Sequence, residues 1–328
     1  MERFVFVAAV TIAIIFGVVA VFGGTNGFHF AFDEDGMGID PIVEVGPGQT
    51  EAAVFAGTHL RVRSAAANVV ITSEDRTDFS IEIDNSAGRA PMPTITTEGG
   101  HISIDGQLRG RIGDCEAETV ELRGYGDIAY AELPRITIRA PRSLDLDLAG
   151  AGSTEIGPTE SLQVDFSGCG DANIGDVAGE LDIDLAGSSR VQAGAARNVD
   201  IDIAGSGEVN IGAVSEGASI DVAGSGEVTI ASLNGDLSSD GAGSGDVSIL
   251  AGAIGTADID LAGAGGVSIA ASVRSLEVDI VGSGDVDVNG EVGDIDAEIA
   301  GSGGVRASVV TGTVRKEVWG SGDVQVGG

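Results

Sequence analysis

Between residues 150 and 320 the chain repeats a Gly-small-Gly corner, or a close variant of it, with first glycines at Gly150, Gly168, Gly187, Gly205, Gly224, Gly243, Gly263, Gly282, Gly301 and Gly320. These glycines stand 18 to 20 residues apart. So regular a period means stacked units, none of which buries a core alone. Six, four and two residues before each corner the side chains are mostly long or branched aliphatics, as in Leu144, Leu146 and Leu148 or Val199, Ile201 and Ile203. A period of two places them on one face of a strand. Four and six residues after the corner comes a second apolar pair, such as Val209 and Ile211 or Val228 and Ile230. One further apolar residue, as at Val214, Leu233, Ile254, Val273, Val292 and Val310, marks a third, shorter side.

Three short sides joined by small-residue corners make one turn of a parallel β-helix. The sequence therefore predicts an all-β fold, a right-handed parallel β-helix of about ten 19-residue rungs over residues 144–328. Ile201, Ile203, Val209 and Ile211 are expected inside and Asp202 outside. A helical alternative fails on the spacing, and the chain's 53 glycines would each cost a helix interior about 1 kcal/mol. An antiparallel barrel or propeller needs hairpin turns and a longer repeat, and the left-handed hexapeptide form needs a six-residue sub-period that is missing here. Glycine at the corner answers a need for positive φ or close backbone approach. The middle corner residue is usually Ser, with Ala151, Ala264 and Cys169 as variants; a repeated serine without a histidine partner is a packing residue, not a nucleophile.

Three residues before every corner glycine stands an acid: Asp147, Asp165, Asp184, Asp202, Asp221, Asp240, Asp260, Asp279, Glu298 and Glu317. Rungs of a parallel stack lie about 4.8 Å apart, and adjacent carboxylates at that distance repel by roughly 1 kcal/mol per pair even in bulk water. Such a ladder calls for relief by cations, salt or protons. Its plainer role is to keep an exposed sheet soluble and free of lateral pairing. Its functional reading is a weak site for a hard cation such as calcium, which takes oxygen ligands, with Asp184, Asp202, Asp221, Asp240, Asp260 and Asp279 as the candidate ligands. Calcium-loading nine-residue repeats have a different Gly-Asp spacing. A second, less regular acidic column follows the corners at Asp171, Glu208, Glu227, Asp246, Asp285 and Asp323.

The formal net charge of −34 and a single lysine, Lys316, argue against attraction to nucleic acid or anionic lipid. Residues Phe4 to Phe22 form an uncharged run long enough for a membrane span. Residues 1–24 are accordingly read as a transmembrane anchor or signal peptide, preferably an uncleaved anchor, with the acidic repeats outside the cytoplasm. Residues 25–50 read as a linker, and residues 51–143 as an irregular β-rich cap of early rungs, since solenoids need atypical terminal units. Cys115 and Cys169 permit a disulfide in that compartment or two free thiols, and sequence does not fix their distance. His29, His59 and His101 stand at no metal-ligand spacing, and the chain has neither a phosphate loop nor a dinucleotide fingerprint.

The stretch from Pro134 to Ile156, through Arg-Ile-Thr-Ile-Arg-Ala-Pro-Arg-Ser-Leu-Asp-Leu-Asp-Leu-Ala-Gly-Ala-Gly, followed by repeated Gly-Ser-Gly-Asp/Glu-Val corners, resembles the putative auto-transporter adhesin, head GIN domain family, over roughly residues 50 to 328. The resemblance implies a bacterial envelope β-solenoid and carries over no catalytic residues. The chain departs from an auto-transporter in lacking a C-terminal barrel. The expected function is a non-enzymatic envelope or cell-surface scaffold or adhesion module, with an envelope protein or surface polysaccharide as partner, no cofactor beyond weak calcium, and membrane contact through the N-terminal segment only. The alternatives are a calcium-binding surface protein and a polysaccharide lyase or hydrolase. The last needs an asymmetric carboxylate cluster beside an aromatic platform, the reverse of a uniform ladder in a chain with one Trp and two Tyr.

Overall fold

A computed structural model describes residues 46–116 and 118–327. The apolar Phe4–Phe22 run and most of the expected linker lie outside the described residues, and among those described no helix is long and apolar enough to cross a membrane.

From Ser143 onward the chain is a parallel β-solenoid of about ten turns, in which each rung pairs in parallel with the next. The strand Ser143–Ile156 pairs along its whole length with Ser161–Ile174, and Glu180–Gly187 with Ala196–Gly205. The pairing then continues through Glu208–Gly224, Glu227–Gly243, Gly252–Gly263, Ser272–Gly282 and Asp285–Gly301 to Val314–Gly320. Every corner glycine lies above its predecessor, and the serine N–H after it donates to the glycine carbonyl one rung back, at 2.8 Å for Ser225 to Gly205.

Inside runs one continuous apolar core. Ile201, Ile203, Val209 and Ile211 are at most 3% exposed, whereas Asp202 is exposed, as the alternation predicts. The third side is apolar too, with Val214, Leu233, Ile254, Val273 and Val292 buried. This side also absorbs variation in repeat length. The one 20-residue spacing, Gly243 to Gly263, is accommodated by a register shift between Gly235 and Leu237. An 18-residue spacing, Gly187 to Gly205, is made up by a shift between Ala196 and Asn198. From one repeat to the next the long strand with its acidic column thus keeps strict register, and the one shift beside that column, between Leu148 and Gly150, falls where the first rung meets His59–Ala66.

The N-terminal region is joined to the same stack. His59–Ala66 and Asn68–Ser73 pair in parallel with the first rung, and Arg135–Ala140 pairs in parallel with Asn68–Ser73. Phe79–Asn85 runs antiparallel to Arg135–Ala140, and Thr94–Glu98 antiparallel to His101–Asp105. Gly48–Gln49, inside the stretch expected to be linker, is already a strand against Asp84 and Asn85. A separate three-stranded antiparallel flap, Ile112–Cys115, Thr119–Leu122 and Gly126–Ala129, packs Val120, Leu122 and Ile128 into a small second core with Ala151. Cys115 of the flap is disulfide-bonded to Cys169, the middle residue of the second corner. The sequence left this pairing open. It also accounts for the corner residues there: the two corners that meet the flap carry Ala151 and Cys169, where most others carry an exposed serine.

Candidate functional site

The strands leading to the corners turn alternate residues outward onto a flat face. All six candidate ligands fall in one unbroken column of that face, Asp184 beside Asp202, then Asp221, Asp240, Asp260 and Asp279. Asp147 and Asp165 extend it in one direction, Glu298 and Glu317 in the other. Two residues earlier on each strand a second outward column runs Asp145, Gln163, Asp182, Asp200, Ser219, Ser238, Asp258, Glu277, Asp296 and Arg315. It flanks the first column with further carboxylates at both ends and with two serines at mid-length. The sequence reading missed it, although tabulating the position two residues before the acidic column reveals it.

Crowding of like charges on a half-buried face moves the protonation equilibria. Burial, together with hydrogen bonds to Asp147 and Asp184 and the charges of both, pushes the Asp165 carboxyl up to about 8. Burial and the charges of Asp240 and Asp202 raise Asp221 to about 7. For Asp260 the same combination, with Asp240 and Asp279 as neighbours, gives about 7. Asp202 and Asp182 are raised to about 6, by burial first and then by carboxylates around them, and burial also raises Asp240. Near neutral pH the ladder therefore retains protons, and a protonated carboxyl donates to an ionised neighbour one rung away. This relief is internal to the column.

Cations close the face at its two ends. Arg61 lies one register step beyond Asp147, and its Nε donates to Asp147 Oδ2. His59 places Nδ1 2.8 Å from Asp145 and Nε2 3.1 Å from Asp147. Burial would raise the Asp147 carboxyl, but hydrogen bonds with Asp165, Arg61 and His59 outweigh it and hold the group below the usual range. At His59 burial lowers the ring's affinity for a proton, yet the bonds to the two aspartates outweigh it and raise the pKa. At the far end Arg315 occupies the flanking column, 3.4 Å from Asp296. His59 and Arg61 lie before the repeats, so no periodicity could have found them.

The less regular acidic column after the corners is broken by Arg190, which reaches Asp171 at 3.3 Å and Glu208 at 2.8 Å, and by Gly266 and Gly304. Its charge is relieved by ion pairs; that of the ladder is relieved by protons. Among the described residues no group of three or more His, Cys, Asp or Glu side chains converges as a metal site would require. A column offers each ion neighbours above and below, and the flanking carboxylates do not converge with them.

The family model described as putative auto-transporter adhesin, head GIN domain, matches residues 53–253 and 240–327. The chain belongs to this family. No curated protein matches it. Solved structures similar to this head GIN domain chain include a putative adhesin from Parabacteroides distasonis, with 15% identity, 88% of this chain and 100% of that one covered, and a TM-score of 0.42. A putative lipid binding protein from the same organism has 17% identity, 86% and 96% coverage, and a TM-score of 0.39. A putative adhesin from Parabacteroides merdae has 13% identity, 86% and 96% coverage, and a TM-score of 0.38.

Proposed function

We propose that this head GIN domain protein is an extracytoplasmic, non-enzymatic interaction module, whose acidic face binds a repetitive partner at the cell envelope. One observation carries the reading: the same outward groups recur at every rung, in strict register, on a sheet too extensively paired to deform. Repetition of equivalent weak contacts turns low affinity per contact into useful avidity, provided that the partner also repeats. A surface polysaccharide bearing hydroxyl or cationic groups fits this requirement, and an envelope protein with a repeated basic surface fits it too. Family membership supports the surface role. Hydrolysis of a glycan would instead call for one acid and one base set apart from all other carboxylates, which a uniform column does not provide.

The test is co-sedimentation of the full-length protein with insoluble envelope polysaccharide and with envelope membranes. Replacing Asp202, Asp221 and Asp240 by Asn should weaken capture more than any single replacement does. Unchanged capture by the triple variant would remove the acidic face from the function.

Weak calcium binding along Asp184, Asp202, Asp221, Asp240, Asp260 and Asp279 is the second reading, favoured by the crowding of carboxylates in the column, where a cation would compete with the retained protons. Under it, millimolar calcium raises the melting temperature beyond a sodium control of matched ionic strength, by linkage of binding to folding. Equal responses to the two salts would leave only screening.

A further inference from the structure

The flap carries its charges sorted by end. Its chain enters through a turn at Arg109, Gly110 and Arg111 and returns to the same end at the turn Arg123, Gly124 and Tyr125, whereas Glu116 and Glu118 stand at the opposite end. The two basic turns are stitched together. The Arg123 N–H donates to the Arg111 carbonyl at 2.8 Å, Arg111 Nη1 donates to the Arg123 carbonyl at 3.2 Å, and the Arg111 guanidinium lies 5.9 Å from the centre of the Tyr125 ring. Arg109, Arg111 and Arg123 are all exposed. Among the described residues none of the three has an ion-pair partner, and Glu121, two residues from Arg123, turns its side chain over Gly113.

A preformed basic tip on a chain of net charge −34 has a surface of matching geometry in the same molecule. Arg111 and Arg123 stand at the ends of paired strands, about 4.8 Å apart, which is also the spacing from one ladder carboxylate to the next. Two guanidiniums so placed meet two successive aspartates of the column, each in the forked geometry that arginine and carboxylate share. The chain already uses this chemistry on itself, since Arg61 Nε donates to Asp147 near the ladder's end. Along the middle of the column Asp202, Asp221 and Asp260 instead relieve their crowding by holding protons.

We propose that the flap tip, through Arg109, Arg111 and Arg123, docks on the acidic face of a second copy of this chain. Tip and ladder are different surfaces, so the contact is heterologous, and copies add one after another unless rotation closes a ring. The net charge of each copy opposes approach at long range. At physiological salt that repulsion is screened beyond about 8 Å, and within this distance the arginines meet carboxylates. The disulfide to Cys169 and the flap's own small core hold the tip in shape before contact, which limits the entropy lost on docking. The contact needs no envelope partner, so it is tested separately from the function proposed above.

Sedimentation of the full-length protein in one non-ionic detergent buffer, over a wide range of concentration, tests this at physiological salt and at about 1 M, where the screening length falls to about 3 Å. The parent's sedimenting mass should climb with concentration at the lower salt and not at the higher. The tip variant Arg109→Gln, Arg111→Gln, Arg123→Gln should keep one mass throughout, with the circular dichroism of the parent, whereas Arg109→Lys, Arg111→Lys, Arg123→Lys retains the charge and should still associate. A ladder variant with Asp184, Asp202, Asp221, Asp240 and Asp260 changed to Asn should lose its self-association too. Mixing the uncharged tip variant with the ladder variant restores one tip and one ladder, and should give the mass of a single pair. The proposal is overturned if the uncharged tip variant associates as the parent does, or if the mixture stays at the masses of its components. Retention of the parent on an immobilised acidic polysaccharide, lost in the uncharged tip variant and without any rise in sedimenting mass, would assign the tip to an acidic glycan and overturn it as well.

Discussion

A methyl group on Gly224 would stand 2.3 Å from the carbonyl oxygen of Gly205, and the backbone there has a φ of 131°, where L side chains are strained. The same clash with the preceding corner recurs along the stack, for example at Gly243 and Gly263. The adjacent serine has no comparable duty, since its hydroxyl is exposed and meets only another serine, Ser225 to Ser244, at 3.3 Å. Gly224→Ala is expected to cost about 2 to 4 kcal/mol, from backbone strain plus overpacking, whereas Ser225→Ala should stay within about 0.5 kcal/mol. Urea unfolding of the two variants side by side separates them. Equal losses would mean that the corners are not stacked carbonyl over glycine.

At the scale of the element, neighbouring aspartates of the acidic face titrate together and not independently. Asp165, Asp182, Asp202, Asp221 and Asp260 have folded pKa values of about 6 to 8, above the unfolded value of about 3.9. A carboxyl raised in this way binds its proton more tightly when folded, so it penalises the fold fully above its folded pKa and not at all below its unfolded one. Stability should therefore rise as pH falls from about 8 toward about 5. Asp147, lowered by its partners, works in the opposite sense, losing its contribution as pH falls through the lower acidic range. Changing Asp202, Asp221 and Asp240 together to Asn should raise the melting temperature at pH 8 and flatten its pH dependence; a lower melting temperature at that pH would show that the column is held by something other than shared protons. The flap is a second element with its own stability. Its disulfide spans 54 residues of sequence, and closing a loop of that size is worth about 4 kcal/mol in the chain-entropy description. On reduction, hydrogen exchange should accelerate in residues 112–129 while the rungs beyond Gly205 keep their protection, and uniform loss across the solenoid would contradict a separate flap.

Over the whole molecule, what could be read in advance is what repeats. The 19-residue period and the two-residue alternation suffice to place Ile201 inside and Asp202 outside, and to bring the six ladder aspartates into one column, because every rung restates the same constraint. Residues 46–143 give no such redundancy. His59 and Arg61 reach the ladder's end through a single strand pairing, and Cys115 meets Cys169 through a flap whose position depends on a small core of its own. The flanking column was missed for another reason: it mixes Asp, Gln, Ser, Glu and Arg, which breaks compositional regularity while leaving geometry intact. The central claim is that a rigid stack forces its carboxylates to share protons at neutral pH. Infrared spectroscopy of the full-length protein at pH 7 tests it directly, because a protonated carboxyl and a carboxylate absorb separately. The expected result is a protonated-carboxyl band in the folded protein at that pH, given Asp165 at about 8 and Asp221 and Asp260 at about 7, which weakens in the Asp202, Asp221 and Asp240 to Asn variant and vanishes on unfolding. A folded protein at pH 7 with no protonated-carboxyl band would contradict the account.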